Sequence, residues 1–152
     1  MKKPTIVIGS DHAGFGLKEY LRELLEELDY PVEDLGTDSR DSVDYPDYAE
    51  KVGRAVAGSR NRKGILSCGT GVGISIAANK IPGVRAALVQ DPRTARLAVE
   101  HNNANILVLP GRPFSRKKIA PIVKAWLESE FAGGRHGRRV GKITRLEKKY
   151  RP

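Results

Sequence analysis

Cys68, the only cysteine among 152 residues, ends the apolar run "ILSC" and opens the loop "GTGVG", which leads into "ISIAANK". Glycines at 69, 71 and 73 leave the backbone bare where a strand turns into a helix. Free N–H groups at such a turn can hold a phosphate, a carboxylate or a developing oxyanion. A thiol beside a helix N-terminus is favoured as thiolate, the form that acts as base or nucleophile. The plain alternative is a small buried hydrophobe next to a tight turn. Thr70 either aims its hydroxyl into the same loop or caps the helix. Spacing excludes three familiar loops. A Walker ending is absent, and both a dinucleotide loop and a Cys-x5-Arg phosphatase loop fail at Ile74, where the first needs glycine and the second arginine.

Other groups able to do chemistry are scattered. Asp11 and His12 follow the first apolar run, where they can serve a ligand or cap the next helix. His101 closes a helical segment in "VEHNNAN", a place that also suits a cation at a helix C-terminus. Arg135, Arg138 and Arg139 surround "AGGRHG". Arg135 and Arg139 share a face if the last helix begins there, and two guanidinium forks suit a phosphate. Taken singly, each arginine reads as solvated surface.

These residues must be positioned by elements that alternate in period. "TIVIGS", "PVEDLG", "KGILSC", "VRAALV" and "NILVLPG" read as five strands. Between them lie helical patterns: "FGLKEYLRELLEELD" with Leu17, Leu21, Leu24, Leu25 and Leu28 on one stripe, a segment from about Asp47 to Ala57, "GISIAANK", and "PRTARLAVEHN" with Pro92 in its first turn. Helices over about 115–130 and 140–150 follow, the second with Val140, Ile143, Leu146 and Tyr150 at helical spacing. Such alternation predicts an α/β fold, a Rossmann-like three-layer α/β/α arrangement on a five-stranded parallel sheet. Ligands of open parallel sheets bind beyond the carboxyl ends of the strands. That rule selects the loops "SDHAGFG", "GTDSRDSVDYP", "CGTGVG" and "PGRPF".

Composition sets the limits. The length suits one domain, 1–152, with a sizeable core. One cysteine rules out an internal disulfide and suits a reducing compartment, so a cytoplasmic location is expected. No run of about 18 apolar residues is present, so no membrane partner is expected. The net charge of +9 is uneven: residues 1–50 carry 5 Lys/Arg against 13 Asp/Glu, and residues 51–152 carry 22 against 5. A basic half can bind nucleic acid, lie solvated, or concentrate a small anion. With three Phe, five Tyr and one Trp, stacking aromatics are too few to favour single-strand binding, and no nucleic-acid partner is expected.

"GSDHAGFGLK", "DYPDYA", "CGTGVGISIAANK", "HNNAN" and "GGRHGRRV" occur in the order and approximate spacing of the ribose-5-phosphate isomerase B family, which includes galactose-6-phosphate isomerase subunits, and nearly the whole chain resembles it. The resemblance implies an aldose–ketose isomerase acting through a cis-enediolate, without metal or nucleotide cofactor. It also implies a homodimer or tetramer with shared active sites, the last helix (about 137–150) packing on a neighbouring subunit. By the same resemblance Cys68 is the base, and Gly69, Thr70, Gly71, Val72 and Gly73 hold the enediolate. His101 assists ring opening, with Asp11 and Asn102 near the sugar hydroxyls. His12, Arg112, Arg135 and Arg139 bind the phosphate, and Asp44 and Tyr45 line the pocket. One branch of the family carries glutamate where Ile74 stands; this chain resembles the cysteine branch. Two other classes stay open: a sugar-phosphate-binding module without chemistry and a nucleic-acid-binding module.

Overall fold

The computed structural model describes residues 2–151, so Met1 and Pro152 of the expected domain lie outside the described residues. The strands are β1 (Thr5–Ser10), β2 (Val32–Asp34), β3 (Arg62–Cys68), β4 (Ala86–Leu88) and β5 (Ile106–Pro110). The helices are α1 (Phe15–Glu27), α2 (Tyr45–Val56), α3 (Val72–Ala78), α4 (Pro92–Glu100), α5 (Arg116–Leu127) and α6 (Arg135–Lys149). The sheet is parallel throughout in the order β2-β1-β3-β5-β4.

Both faces of the sheet are covered, which is why its central strands read as continuous apolar runs. Ile6 and Ile8 of β1 point to one face with Ile65 and Leu107, where α1, α4 and α5 close a core around Leu21, Val99 and Trp126. Val7, Leu66, Cys68 and Val108 point to the other, against Val52 of α2 and Ile74 of α3. The expected α/β/α layers are therefore present. The edge strands are shorter than the sequence predicts, because each has one neighbour and pairing stops after three residues.

The last helix begins earlier than expected. Gly133 and Gly134 take positive φ and stop the chain before it, whereas Gly137 sits inside the helix with open space around it. Arg135 and Arg139 thus fall one turn apart on α6. The helix is tied to its own chain by Glu147, whose carboxylate accepts from the Gly83 N–H at 3.1 and 3.2 Å, and by Arg151, which donates to the Lys80 carbonyl at 3.0 Å. Of its expected apolar stripe only Val140 is buried; Ile143, Leu146 and Tyr150 remain exposed within the chain.

Chain order reverses between β1 and β3, because β2 lies on one side of β1 and all later strands on the other. The crevice at that reversal is bounded by the loops after β1 and β3, which approach closely because Gly14 has no side chain. A Cβ there would strike the Ser67 carbonyl and lie 2.9 Å from the Ser10 Cβ. Gly14→Ala is expected to destabilise the fold by about 1–3 kcal/mol, as overpacking against rigid backbone does. Gly137→Ala, in open helix, should stabilise it by up to about 1 kcal/mol. Urea unfolding midpoints of the two variants check both signs.

Candidate active site

A circuit of contacts joins the loops at the carboxyl edge of the sheet. Asp11 is buried, and its Oδ1 accepts from the Gly14 N–H at 3.0 Å, which tightens the turn into α1. Beside it, His12 Nδ1 accepts from the Val43 N–H at 3.1 Å. That bond orients the imidazole and leaves its proton on Nε2, free to be donated. Val43 leads directly to Asp44, the N-cap of α2, and to Tyr45. The Tyr45 ring lies on Gly73, where an added Cβ would be 2.9 Å from the phenol oxygen. From Gly73 the circuit returns through the glycine loop to Gly69, whose carbonyl accepts from Gly111 and Arg112, each at 3.1 Å. Gly111 closes it, lying within van der Waals reach of Gly14 and of the Ala13 carbonyl.

Cys68 stands inside this circuit at the end of β3, 5% exposed. Gly71 turns the chain into α3 in a left-handed conformation (φ 79°), which glycine adopts without strain, and a Cβ there would also push the Leu88 Cδ1 methyl, 2.6 Å away, aside. Thr70 Oγ1 accepts from the Val72 N–H at 3.2 Å, which engages that amide locally and leaves the hydroxyl hydrogen to donate elsewhere. The sequence-predicted residues Asp11, His12, Asp44, Tyr45, Cys68, Gly69, Thr70, Gly71, Val72, Gly73 and Arg112 are thus gathered at one edge.

His101, Asn102, Arg135 and Arg139 are not among them. Helix α4 runs back against the strand direction and ends at the opposite edge. Asn105, four residues beyond His101, accepts from the Gly64 N–H at 2.9 Å, and Gly64 lies four strand residues before Cys68, about 13 Å away. At this far edge His101 stacks on His136, with ring centroids 4.1 Å apart and planes 10° from parallel. Burial first, then the positive charges of His101, Arg135 and Arg139, hold His136 below the usual histidine pKa. Asn102 lines a groove of about 740 Å³ with Arg85, Ala86, Ile143, Leu146 and Tyr150.

Two residues escape a reading of the sequence. Lys18 is 1% exposed, and its Nζ donates to Asp34 Oδ2 at 2.6 Å and Glu19 Oε1 at 3.2 Å, pinning the loop after β2. A lysine on the leucine stripe of α1 was the available signal. His136 sits within "GGRHGRRV", but nothing there reveals its stack on a residue 35 positions earlier. Among the described residues, no group of three or more His, Cys, Asp or Glu side chains is placed to hold a metal, and no helix is long and apolar enough to cross a membrane.

The geometry defines a doubly wound α/β protein with an anion-compatible glycine loop and a thiol at its switch crevice. A family model described as Ribose/Galactose Isomerase matches residues 6–143. The chain is 46% identical over 149 residues to ribose-5-phosphate isomerase B of Escherichia coli, covering 98% of this chain and 99% of that one. Ribose-5-phosphate isomerase B of Clostridium thermocellum superposes with a TM-score of 0.93 at 50% identity, over 97% of this chain and 99% of that one. The Thermotoga maritima enzyme superposes with a TM-score of 0.90 at 52% identity, over 93% and 98%. The chain belongs to the ribose/galactose isomerase family.

Gly73→Ala tests the cleft wall. The atoms it would strike are the outer end of the exposed Tyr45 ring, so the unfolding midpoint should hold while the ring swings away. Binding of a phosphorylated pentose, measured by titration calorimetry, should weaken about tenfold, the worth of one hydrogen bond.

Proposed function

We propose that this protein interconverts ribose 5-phosphate and ribulose 5-phosphate through a cis-enediolate, with Cys68 moving the proton between C2 and C1. The observation that carries the reading is the placement of the single thiol at the mouth of the glycine loop, inside the circuit of loops at the switch crevice. A base must sit within hydrogen-bond reach of the proton that it takes, and donors must face the oxygen on which charge develops. Cys68 fills the first role. The loop amides from Gly69 to Gly73 other than that of Val72, which Thr70 Oγ1 already engages, fill the second together with the Thr70 hydroxyl. His12 donates through Nε2 to the phosphate, beside Arg112, and Asp11 engages a sugar hydroxyl through its remaining oxygen. The similarity to enzymes named for this reaction supports the substrate.

His101, which assists ring opening in this reading, cannot serve the Cys68 of its own chain. Two copies therefore assemble so that His101, Asn102, Arg135 and Arg139 of one meet the thiol of the other. Exposed apolar side chains support the contact: Val72 and Ile76 on α3, and Ile143, Leu146 and Tyr150 on α6. So does charge, since α6 is strongly basic while the first 50 residues are acidic.

Cys68→Ser should nearly abolish turnover of ribose 5-phosphate yet keep its binding, because an alcohol is too weak an acid to supply a base near neutral pH. Near-normal turnover would remove the assignment. Allose 6-phosphate and galactose 6-phosphate run beside it separate the pentose reading from a hexose one. A chain that binds all three and converts none is a binding module.

Arg135 and Arg139 contact a phosphate whose charge hardly changes during the reaction, so Arg139→Ala should raise KM more than it lowers kcat. Mixing inactive Cys68→Ser chains with inactive Arg135→Ala/Arg139→Ala chains under subunit exchange should restore activity, since a mixed dimer holds one intact site. No recovery would mean that each chain builds its own.

A further inference from the structure

His101 and His136 come from different helices, the first at the C-terminus of α4 and the second in the first turn of α6. His136 is 8% exposed, while Arg135, Arg138 and Arg139 around it face solvent. An imidazole turned inward where its neighbours point outward lies flat against the ring of His101, at 4.1 Å between centroids.

The two histidines nearest to the proposed chemistry are oriented by different means. His12 has its plane set by the Val43 N–H, the usual device for fixing an imidazole through its second nitrogen. Among the described residues no such bond holds a ring nitrogen of His101; the nearly parallel face of His136 is what confines it. The groups facing His136 are His101 from α4 and Arg135 and Arg139 from α6, with Glu100 next to His101 engaged by Arg96 at 3.4 Å. The positive end of α6 adds to the arginines in disfavouring charge on His136. An uncharged aromatic face tolerates a cation stacked on it, whereas a second imidazolium would repel one.

We infer that His136 is a positioning residue for His101, a flat platform that fixes the imidazole plane and so directs a nitrogen of His101 at the sugar ring oxygen. The inference rests on the isomerase reading above, in which His101 assists ring opening. Without the platform, the His101 side chain moves among its rotamers and is productively aimed for only part of the time.

Three variants test it: His136→Phe, which keeps a flat ring, His136→Leu, which keeps bulk without one, and His136→Ala. With ribose 5-phosphate, the Leu and Ala variants should lose roughly tenfold to a hundredfold in kcat with KM within about twofold, and the Phe variant should stay within about threefold of wild type. With ribulose 5-phosphate, which is already open-chain, the losses should be much smaller. Equal activity of the Leu and Phe variants would overturn the inference, as would equal loss in the Phe and Ala variants or a loss confined to KM. If the Ala variant does not fold, the Phe and Leu pair carries the comparison alone. Wild-type turnover is the separate check on the isomerase reading. Should wild type convert no sugar phosphate, the platform is still read from the ring-proton NMR shifts of His101. Those must stay near their wild-type positions in the Phe variant and move in the Leu variant, and the opposite pattern overturns the inference.

Discussion

The backbone of Gly14, at the start of α1, rests directly on the carbonyl of Ser67, the residue before Cys68, and Gly111 presses on the same point from the loop after β5. Apart from the small Ser10 and Ser67 side chains, these are approaches between main chains that only glycine allows, so they transmit position with little slack. Three parallel strands end at that point, and their loops cannot move independently of one another. The depth of Cys68, the bend of the glycine loop at Gly71 and the place of Arg112 follow from it. Asp11 strengthens the same corner by capping the Gly14 amide. A catalytic group held to within a fraction of an ångström needs such stiffness, because loosely aimed groups forfeit most of the advantage of proximity.

Parallel strands impose a second constraint. All strands point to one edge, so every following helix must return to the other. The residues that follow strands and those that end helices are therefore separated by the full height of the sheet. Cys68 belongs to the first set and His101 to the second. Within one chain, the thiol edge holds Cys68 almost fully buried, and the histidine edge is an open groove with uncovered apolar groups on α6. In the proposed assembly of two copies, each edge supplies half of a site.

Much of this was legible in the sequence, and the gaps have physical causes. β1, β3 and β5 stand out because burial on both faces demands unbroken apolar residues, while β2 and β4 blur because nothing in "PVEDLG" or "VRAALV" marks where pairing ends. The glycines of "AGGRHG" look alike in sequence, yet only Gly133 and Gly134 use positive φ, so the helix starts five residues before Val140. Lys18 could be seen as a charge on an apolar stripe, but its partner Asp34 is a tertiary fact. The motifs around the cleft were legible as a set. Their order along the chain hides that His101 and the arginines face away from the rest, although the alternation of strand and helix already contains that result.

The chain has one sulfur able to act as a nucleophile, and it is 5% exposed in a crevice with no second thiol anywhere in the sequence. Enzymes that survive peroxide by condensing a sulfenic acid with a neighbouring cysteine need that neighbour. Here, oxidation at Cys68 has no internal route back and can be reversed only by a thiol that diffuses in. Resistance to oxidants therefore depends on the burial of Cys68 and on whatever lies over it, which makes a bound ligand a physical shield for the sulfur as well as a reactant.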